Sequence, residues 1–498
     1  MSLHAQLSPE AQARLQSQRR NSTISSLIIA LLVLALMAVI LLIISLALPS
    51  KDIPTIVTYS AGSEAEEDLQ QKKVQTSTQR KPSSPSSSMA KVIAATTASP
   101  TAIPVPDVDV PDPSTSFGDG DDFGDGWDDG GDGAGGGFGN IPVSMKKRCS
   151  AADRLARLEA NGGNAACEDA VVKSLQWLKK TQSKDGSWTK DRKVSMTAFA
   201  LLTYLGHCET AQSEEFGESV FSAVTYLTNF AMKNNGKLAD DFKDNHWCYD
   251  HAIAVYALAE AYTLCVKSFG EYIPKLAEAV QKSGQFMINS QHNSGGWEYS
   301  YQKDNRRGGD TSIVGWHIQA LKACKHTGLE FKGVAKCSRE ALKYMASCQA
   351  SSGAIGYTSP KIKAGCDGTS LAAVGALCFQ MWDQSSDSVV RKACKHIDKN
   401  MKLDWGSKES HDGDIYGHYY AAQCMINYGG DYWKKYNKLF RDQVLKAQNK
   451  DGSIKSVAGG RGLYKGNGET STHYRTCLAT MMLEVYYRFL PASQKSGS

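Results

Sequence analysis

The sequence predicts an all-α fold in which about six helical hairpins close into a two-layered ring, preceded by one transmembrane helix and a disordered linker. Three observations carry this prediction. A motif containing Gln and Gly recurs along the C-terminal two-thirds of the chain, each copy lies between two segments of helical periodicity, and an uncharged apolar run stands near the N-terminus. Periods of roughly 20–50 residues are typical of architectures that stack one supersecondary unit.

Composition divides the 498 residues into five parts. Residues 1–23 are predicted to form a cytoplasmic tail, 24–48 a transmembrane helix, 49–150 a disordered linker, 151–491 the helical ring and 492–498 a C-terminal tail. The formal net charge of +5 is small for this length, and no lysine or arginine stripe stands out. Nucleic acid is therefore not expected as a partner.

The run Ile24–Leu48 contains no charged residue. A helix of this length, at about 1.5 Å per residue, spans a hydrocarbon core of roughly 30 Å with some tilt. Arg14, Arg19 and Arg20 precede the run, and Glu10 is the one acid before it. The positive-inside rule then predicts a single-pass protein of the inner membrane, with the membrane as partner of residues 24–48 and the C-terminal domain extracytoplasmic. The alternative is a signal peptide cleaved near Ala47.

The predicted linker changes character along its length. Residues 49–113 are rich in Ser, Thr, Pro and Ala, and Gly118–Gly139 holds seven aspartates and no basic residue. Such segments cannot bury enough apolar surface to offset the entropy lost on ordering. The chain also has thirteen cysteines without any Cys-x-x-Cys pair, so neither a zinc ribbon nor a thioredoxin-like site is indicated, and disulfide connectivity stays open.

The repeat is clearest in the first of its copies. The segment Lys173–Trp188 is matched by Lys282–Trp297, a third copy is Tyr344–Gly353, and a weaker one begins at Gln448. Two degenerate copies fill the gaps, which gives six units marked by Gly186, Gly236, Gly296, Gly353, Gly406 and Gly452. Their spacings are 50, 60, 57, 53 and 46 residues, and each spacing is about the length of one helical hairpin.

Each unit has the same internal order. A helical segment such as Asp169–Thr181 carries a narrow apolar stripe and ends near the Gln, and a more apolar segment follows the Gly-containing turn. The apolar segments are Ser195–Leu205, Asp250–Leu264, Thr311–Ala323, Gly368–Met381, Tyr416–Ile426 and Thr472–Phe489. They are predicted to form an inner layer, because helices that are apolar all round are buried on most sides.

The first copy resembles the Gln-Trp repeat of squalene and hopene cyclases, with Ser174 in place of a Gly. Over residues 165–491 the chain is therefore similar to the prenyltransferase/squalene oxidase repeat proteins of the terpenoid cyclase and protein prenyltransferase superfamily, and to membrane-anchored bacterial proteins with such repeats. The resemblance implies an α/α toroid in which the Gln and Trp tie successive outer helices together. That role is structural, so these motifs indicate fold and not activity.

Polar residues recur where the inner helices begin. Helix N-termini favour anions and bring polar side chains together, so these positions are expected to converge at one mouth of the ring. Of them, Asp310, Asp367, His418 and His473 are the candidate catalytic residues; Asp250, His251, Asp414 and Tyr474 occupy similar positions. The alternative is that each is an N-cap or first-turn residue, where Asp and Thr are common.

The resemblance also implies what each candidate would do. Class II cyclases protonate an alkene with an acid that precedes the position of Asp310, but Gly309 and Arg307 stand where the acids would be. Prenyltransferase β subunits bind zinc through Asp, Cys and His, which suggests Cys366, Asp367 and His418 as metal ligands, although the family order is Asp-x-Cys. Thioester domains need a Gln that the segment after Cys366 lacks.

The sequence favours a binding or scaffolding module whose ligand is an isoprenoid, a lipid or a glycan. The alternative is an enzyme of the terpenoid cyclase and prenyltransferase superfamily, or a toroid enzyme acting on polysaccharide. Aromatic residues of the inner segments are candidates for lining a central cavity: Trp247, Tyr249, Trp316, Tyr416, Tyr419, Tyr420 and Tyr474. No cofactor is identified by the sequence.

Overall fold

A computed structural model describes residues 148–364, 366–409, 412–459, 463 and 465–488. The predictions for the N-terminal tail, the run 24–48, nearly all of the linker and the C-terminal tail lie outside these residues. Within them the regular structure is helical, apart from two isolated bridges that join Gln349 to Ile355 and Gln448 to Ile454.

Fourteen α-helices follow one another through the described residues. They are α1 Ala151–Ala160, α2 Ala165–Thr181, α3 Lys193–Gly206, α4 Gly217–Lys233, α5 Trp247–Ala261, α6 Leu276–Asn289, α7 Thr311–Thr327, α8 Val334–Ser347, α9 Thr369–Met381, α10 Ser388–Asn400, α11 Ile415–Tyr428, α12 Gly430–Ala447, α13 Glu469–Leu483 and α14 Val485–Arg488. A π-helical turn, Tyr262–Ser268, continues α5, and a short 3-10 turn, Tyr299–Tyr301, precedes α7.

The helices form two concentric layers. The inner layer is α3, α5, α7, α9, α11 and α13, each packed on the next, and α13 packs on α3 so that the ring closes. The outer layer is α2, α4, α6, α8, α10 and α12. Nearly every residue of α3, α5 and α7 is buried, whereas α10 buries a single stripe from Val389 to Ile397. The prediction of an all-α toroid of six hairpins is confirmed.

The Gln of each clear repeat joins its own turn to the next outer helix. Gln182 Nε2 donates to the carbonyl oxygens of Gly186 and Ser219, both at 3.0 Å, and Ser219 lies in α4. Gln291 reaches Cys337 in α8 in the same way, at 2.8 Å. Because the Gln amides and the backbone carbonyls satisfy each other at a partly buried junction, the motif has the structural role that its resemblance implied.

The Gly four residues after the Gln is required by the close approach of two backbones. Gly353 has φ 91°, and a Cβ there would overlap the Lys392 carbonyl of α10. In the third unit the equivalent residue is Gly295, with φ 96°, so the sequence alignment on Gly296 was wrong by one position. Gly406 has no such contact, so the fifth unit lacks this junction.

The two ends of the described chain meet where the inner helices finish. Arg148 Nη2 lies 2.7 Å from Glu260 Oε1, and Arg488 Nη2 lies 3.0 Å from Glu260 Oε2. A disulfide joins Cys149 to Cys208, just after α3. Since Glu260 is buried near the end of α5, both ends of the described chain pack against this end of the ring.

The predicted location in the membrane has to be corrected, because of the length and composition of the helices in the described residues. None of them is both long and apolar enough to cross a membrane. The longest, α12, has 18 residues but carries charged side chains such as Asp431, Lys434 and Arg441. A single-pass membrane location is therefore not supported, and the run 24–48 on which it rested lies outside the described residues.

Candidate functional site

The inner helices begin at the same end of the ring, here called the mouth. The Tyr249 hydroxyl in α5 lies 2.8 Å from the Ser312 hydroxyl in α7. The Tyr416 hydroxyl in α11 donates to the Ser312 carbonyl at 3.3 Å. The first turns of α5, α7 and α11 thus meet, as the sequence predicted for the starts of the inner helices.

Below the mouth, aromatic side chains fill the ring centre. The Trp316 ring lies 5.5 Å from Phe199 edge-on and 5.4 Å from Tyr419 in a stacked geometry. Further down, the Tyr419 hydroxyl donates to Gln319 Oε1 at 3.1 Å, and Gln319 Nε2 donates to the Tyr420 hydroxyl at 3.0 Å. These side chains are buried and packed on one another, so they form core where the sequence suggested a cavity lining.

Asp310 is the N-cap of α7 and is fully buried. Its side chain accepts from the Ser312 backbone N–H at 3.0 Å and from the Ser312 hydroxyl. Arg307 Nη2 lies 2.5 Å from Asp310 Oδ2, and Arg307 Nη1 lies 2.8 Å from Glu298 Oε1. The carboxylate therefore already holds a cap and an ion pair, which is the structural alternative that the sequence left open.

A second part of the mouth, here called the acidic pocket, lies between the starts of α9 and α11. It is a cavity of about 280 Å³. The described residues that line it are Asp367, Thr369, Ser370, Asn400, Met401, Lys402, Glu409, Asp412 and Asp414. Four carboxylates, two hydroxyls and an amide give it a polar, acidic character with one lysine as counter-charge.

Two of these carboxylates are fixed by helix starts. Asp414 Oδ1 accepts from the Gly417 backbone N–H at 3.2 Å, and its Oδ2 accepts from the Ser370 hydroxyl across the helix pair. Asp367 Oδ1 accepts from the Thr369 backbone N–H at 2.9 Å. Helix N-termini stabilise negative charge, so both side chains are held as oriented acceptors.

The predicted metal ligands are not brought together as a set. His418 is buried: its Nε2 donates to the Lys402 carbonyl at 2.9 Å, and its Nδ1 accepts from the Tyr436 hydroxyl at 2.8 Å. Burial lowers the pKa of His418. Among the described residues, no group of three His, Cys, Asp or Glu side chains could hold a metal ion. Zinc binding by Cys366, Asp367 and His418 stays a prediction.

His473 belongs to the closure of the ring. Its Nε2 donates to the Met196 carbonyl of α3 at 2.8 Å, and its ring lies 6.0 Å from Trp188. Complete burial lowers its pKa to about 4. The side chain links α13 to α3 and lies within the packed layers.

Asp250, in the first turn of α5, is the mouth residue whose chemistry the sequence did not single out. Burial, reinforced by the nearby Asp240 and Asp244, raises its pKa to about 6. Arg192 Nη1 is 3.8 Å from Asp250 Oδ2, and Arg192 Nη2 is 3.2 Å from Asp244 Oδ2. The available sequence signal was an acid near the start of a mostly apolar inner segment, Trp247–Ala261.

No protein-family model matches the chain, and no curated protein matches it in sequence. Among solved structures, the type II terpene cyclase MstE from Scytonema has a TM-score of 0.45 and 12% identity, over 68% of this chain and 100% of that one. The α-1,6-mannanase GH76A from Salegentibacter sp. HEL1_6 has a TM-score of 0.47 and 8% identity, over 64% of this chain and 98% of that one. A protein from Actinoplanes has a TM-score of 0.42 and 12% identity, over 64% of this chain and 99% of that one.

These similarities are too distant to carry an inference about activity. The class of the protein is defined by its own geometry. Two concentric layers of six helices, joined by Gln-mediated junctions, make the described residues an α/α toroid.

Proposed function

We propose that this toroid binds a glycan at its mouth. The observation that carries the proposal is the acidic pocket, which presents the oriented carboxylates of Asp367 and Asp414 beside the Ser370 and Thr369 hydroxyls. Carboxylates accept hydrogen bonds from sugar hydroxyls, and serine and threonine can both donate and accept. A volume of about 280 Å³ lies just below the usual range of roughly 300–1,000 Å³ for ligand sites, so it suits only one or two sugar rings.

The packing of the ring centre favours a glycan over an isoprenoid or lipid. A long apolar ligand needs an apolar cavity, but Phe199, Trp316 and Tyr419 occupy the axis with their own contacts. At the mouth, the rings of Tyr249 and Tyr416 are partly exposed, and their hydroxyls contact Ser312. Flat aromatic surface together with polar acceptors is a surface on which sugar rings can stack and be oriented.

The Gln repeat also bears on the family to which the chain is related. The Gln-to-carbonyl junctions support a relation to the prenyltransferase/squalene oxidase repeat, since they have the role that the resemblance implied. The mouth departs from the chemistry of that superfamily, because Asp310 is engaged by Arg307 and Ser312. We therefore assign the repeat to architecture and place the binding activity in the acidic pocket.

Native mass spectrometry of the full-length chain tests the proposal. The probes are four unbranched tetrasaccharides built from glucose, mannose, xylose or N-acetylglucosamine. At least one should bind, and Asp367→Asn with Asp414→Asn in one chain should weaken binding at least tenfold, because amides accept fewer and weaker hydrogen bonds than carboxylates. The matched control is Asp431→Asn, an exposed acid on outer helix α12, which should bind as the unaltered chain does.

Two results would overturn the proposal. One is the absence of binding by all four tetrasaccharides. The other is equal binding by the double variant and the unaltered chain, which would place any glycan site elsewhere on the surface.

A further inference from the structure

We propose that the Cys149–Cys208 disulfide is a site of thiol–disulfide exchange that holds a strap closed across the base of the ring. The base is the end at which the inner helices finish, and the strap is residues 148–160, which include α1. Exchange with a dithiol releases the strap, while the ring itself stays closed. The inference concerns the end of the toroid opposite the mouth and does not depend on glycan binding.

Buried polar contacts attach the strap to the base. Arg148 Nη2 lies 2.7 Å from Glu260 Oε1, near the end of α5, and both side chains are buried. Arg154 Nη1 donates to the Arg148 carbonyl at 2.9 Å, and Arg154 Nε lies 3.0 Å from Glu168 Oε1 of α2. Glu168 Oε1 also lies 3.0 Å from Nε2 of His207, the residue before the second cysteine of the disulfide. One chain of contacts therefore links the neighbours of the two cysteines.

Apolar packing contributes little to this attachment. Of the ten residues of α1, the buried ones are Arg154, Arg157 and Leu158, and Leu155 is 38% exposed. Burying an arginine removes its hydration, which an ion pair in the protein offsets only in part. Segments with few buried apolar contacts open locally at a low free energy, without global unfolding. The covalent link at Cys149 is therefore what keeps the strap closed.

The C-terminal end of the strap is anchored independently of the disulfide. The Asn161 side chain donates to the Tyr486 carbonyl at 3.0 Å, and the Asn161 carbonyl accepts from Trp433 Nε1 at 3.0 Å. Asn437 Nδ2 in α12 donates to the Gly162 carbonyl at 2.8 Å. These contacts and the packing of α13 on α3 involve neither cysteine of the disulfide. Loss of the disulfide therefore frees the strap about this anchor and leaves the ring closed.

The two cysteines differ in their access to solvent. Cys149 is partly exposed, whereas Cys208 is 4% exposed. The thiolate of a dithiol therefore attacks the Cys149 sulfur. The bond between the two protein sulfurs breaks, and Cys208 leaves as a thiolate that takes up a proton. The second thiol of the reductant then displaces Cys149 from the mixed disulfide. The protein gains two electrons and two protons, and the dithiol is oxidised to its own disulfide.

Limited digestion of the full-length chain with trypsin tests the release of the strap. Trypsin cuts after arginine, and Arg154 and Arg157 are only 1% and 5% exposed. After treatment with dithiothreitol, cleavage at these two residues should become at least tenfold faster. Lys361 and Lys363, exposed in the loop before α9, are the matched control, and their rate of cleavage should not change. Circular dichroism should show that the helical content is retained.

The double variant Cys149→Ser with Cys208→Ser separates the disulfide from other effects of the reductant. It should be cut at the strap as fast as the reduced chain, and dithiothreitol should not change that rate. Unchanged cleavage at Arg154 and Arg157 after reduction would overturn the proposal. So would a loss of helical content in the reduced chain or in the double variant, because the disulfide would then hold the whole ring and not the strap.

A peptide map after brief treatment with glutathione tests the point of attack. The thiol that is released is trapped with N-ethylmaleimide before digestion. Glutathione should be found on Cys149 and N-ethylmaleimide on Cys208, because the partly exposed sulfur is attacked and the buried one leaves. The reverse distribution, or no glutathione on either cysteine, would contradict the assignment of the exchange site.

Discussion

Gln448 Nε2 donates a hydrogen bond to the carbonyl oxygen of Ala170 at 2.7 Å, although 278 residues separate the two in sequence. Gln448 ends the last outer helix and Ala170 lies in the first. The same amide also reaches the Gly452 carbonyl at 3.2 Å, as each repeat Gln does with its own turn. The junction that joins neighbouring units elsewhere thus closes the ring between unit six and unit one.

Gln448→Ala should destabilise the domain by about 1–3 kcal/mol, because it leaves the carbonyl groups of this closing junction without their donor. The measurement is the free energy of unfolding in urea, followed by circular dichroism. Gln176→Ala is the matched control, since Gln176 is exposed and its partner Glu215 lies at the surface. The control substitution should lower the free energy of unfolding by less than about 0.5 kcal/mol. Equal losses in the two variants would contradict a special role for the closing junction.

Gly353→Ala should be more damaging than the same change at Gly270. Both residues have positive φ, so each variant bears the cost of about 1–2 kcal/mol for a side chain at such a position. Only at Gly353 does the new Cβ meet the backbone of the next outer helix, at Lys392; at Gly270 nothing lies within 4 Å. The difference in unfolding free energy therefore isolates the close approach. A loss at Gly270 as large as at Gly353 would refute this explanation.

The contribution of Glu484 to the stability of the domain should fall as the pH rises. Burial raises its pKa from 4.5 to about 8, against the opposing effect of Arg488, whose Nη1 lies 3.7 Å from Oε2. The folded state therefore binds this proton more tightly than the unfolded state does. The resulting stabilisation is complete below about pH 4.5 and is lost progressively up to about pH 8, by an amount on the order of a few kcal/mol.

Glu484→Gln should remove that part of the pH dependence, since an amide does not titrate. The measurement is the unfolding free energy of both chains between pH 5 and pH 9, where the difference between them should change with a slope of at most about 1.4 kcal/mol per pH unit. Parallel curves for the two chains would show that Glu484 does not hold a proton at neutral pH.

Chelation should leave the thermal midpoint of the domain unchanged. Both ring nitrogens of His418 are engaged, by the Lys402 carbonyl and the Tyr436 hydroxyl, so zinc binding there would first have to break two buried hydrogen bonds. The measurement combines elemental analysis with melting curves in EDTA. One zinc per chain together with a lower midpoint in EDTA would instead support the site predicted from Cys366, Asp367 and His418.

The sequence by itself determined the architecture of the described residues. Gln182 and Gly186 act within a few residues of each other, so their spacing marked each junction, and the all-round apolar character of segments such as Thr311–Ala323 marked the inner layer. The errors were local: Gly296 was taken for Gly295, and Gly406 was counted as a motif glycine although its backbone makes no such contact. A degenerate copy carries too few motif residues to fix its alignment.

Only the tertiary structure decided what the polar residues do. Asp310, His418 and His473 were candidates because of their types, and the structure adds their partners Arg307, Tyr436 and Met196, which no local pattern indicated. At Asp250, burial and the nearby Asp240 and Asp244 raise the pKa of the carboxyl. The physical reason is that hydrogen bonding, burial and charge depend on neighbours that the closed ring brings together from distant parts of the chain, whereas helix and turn formation depend mainly on residues close in sequence.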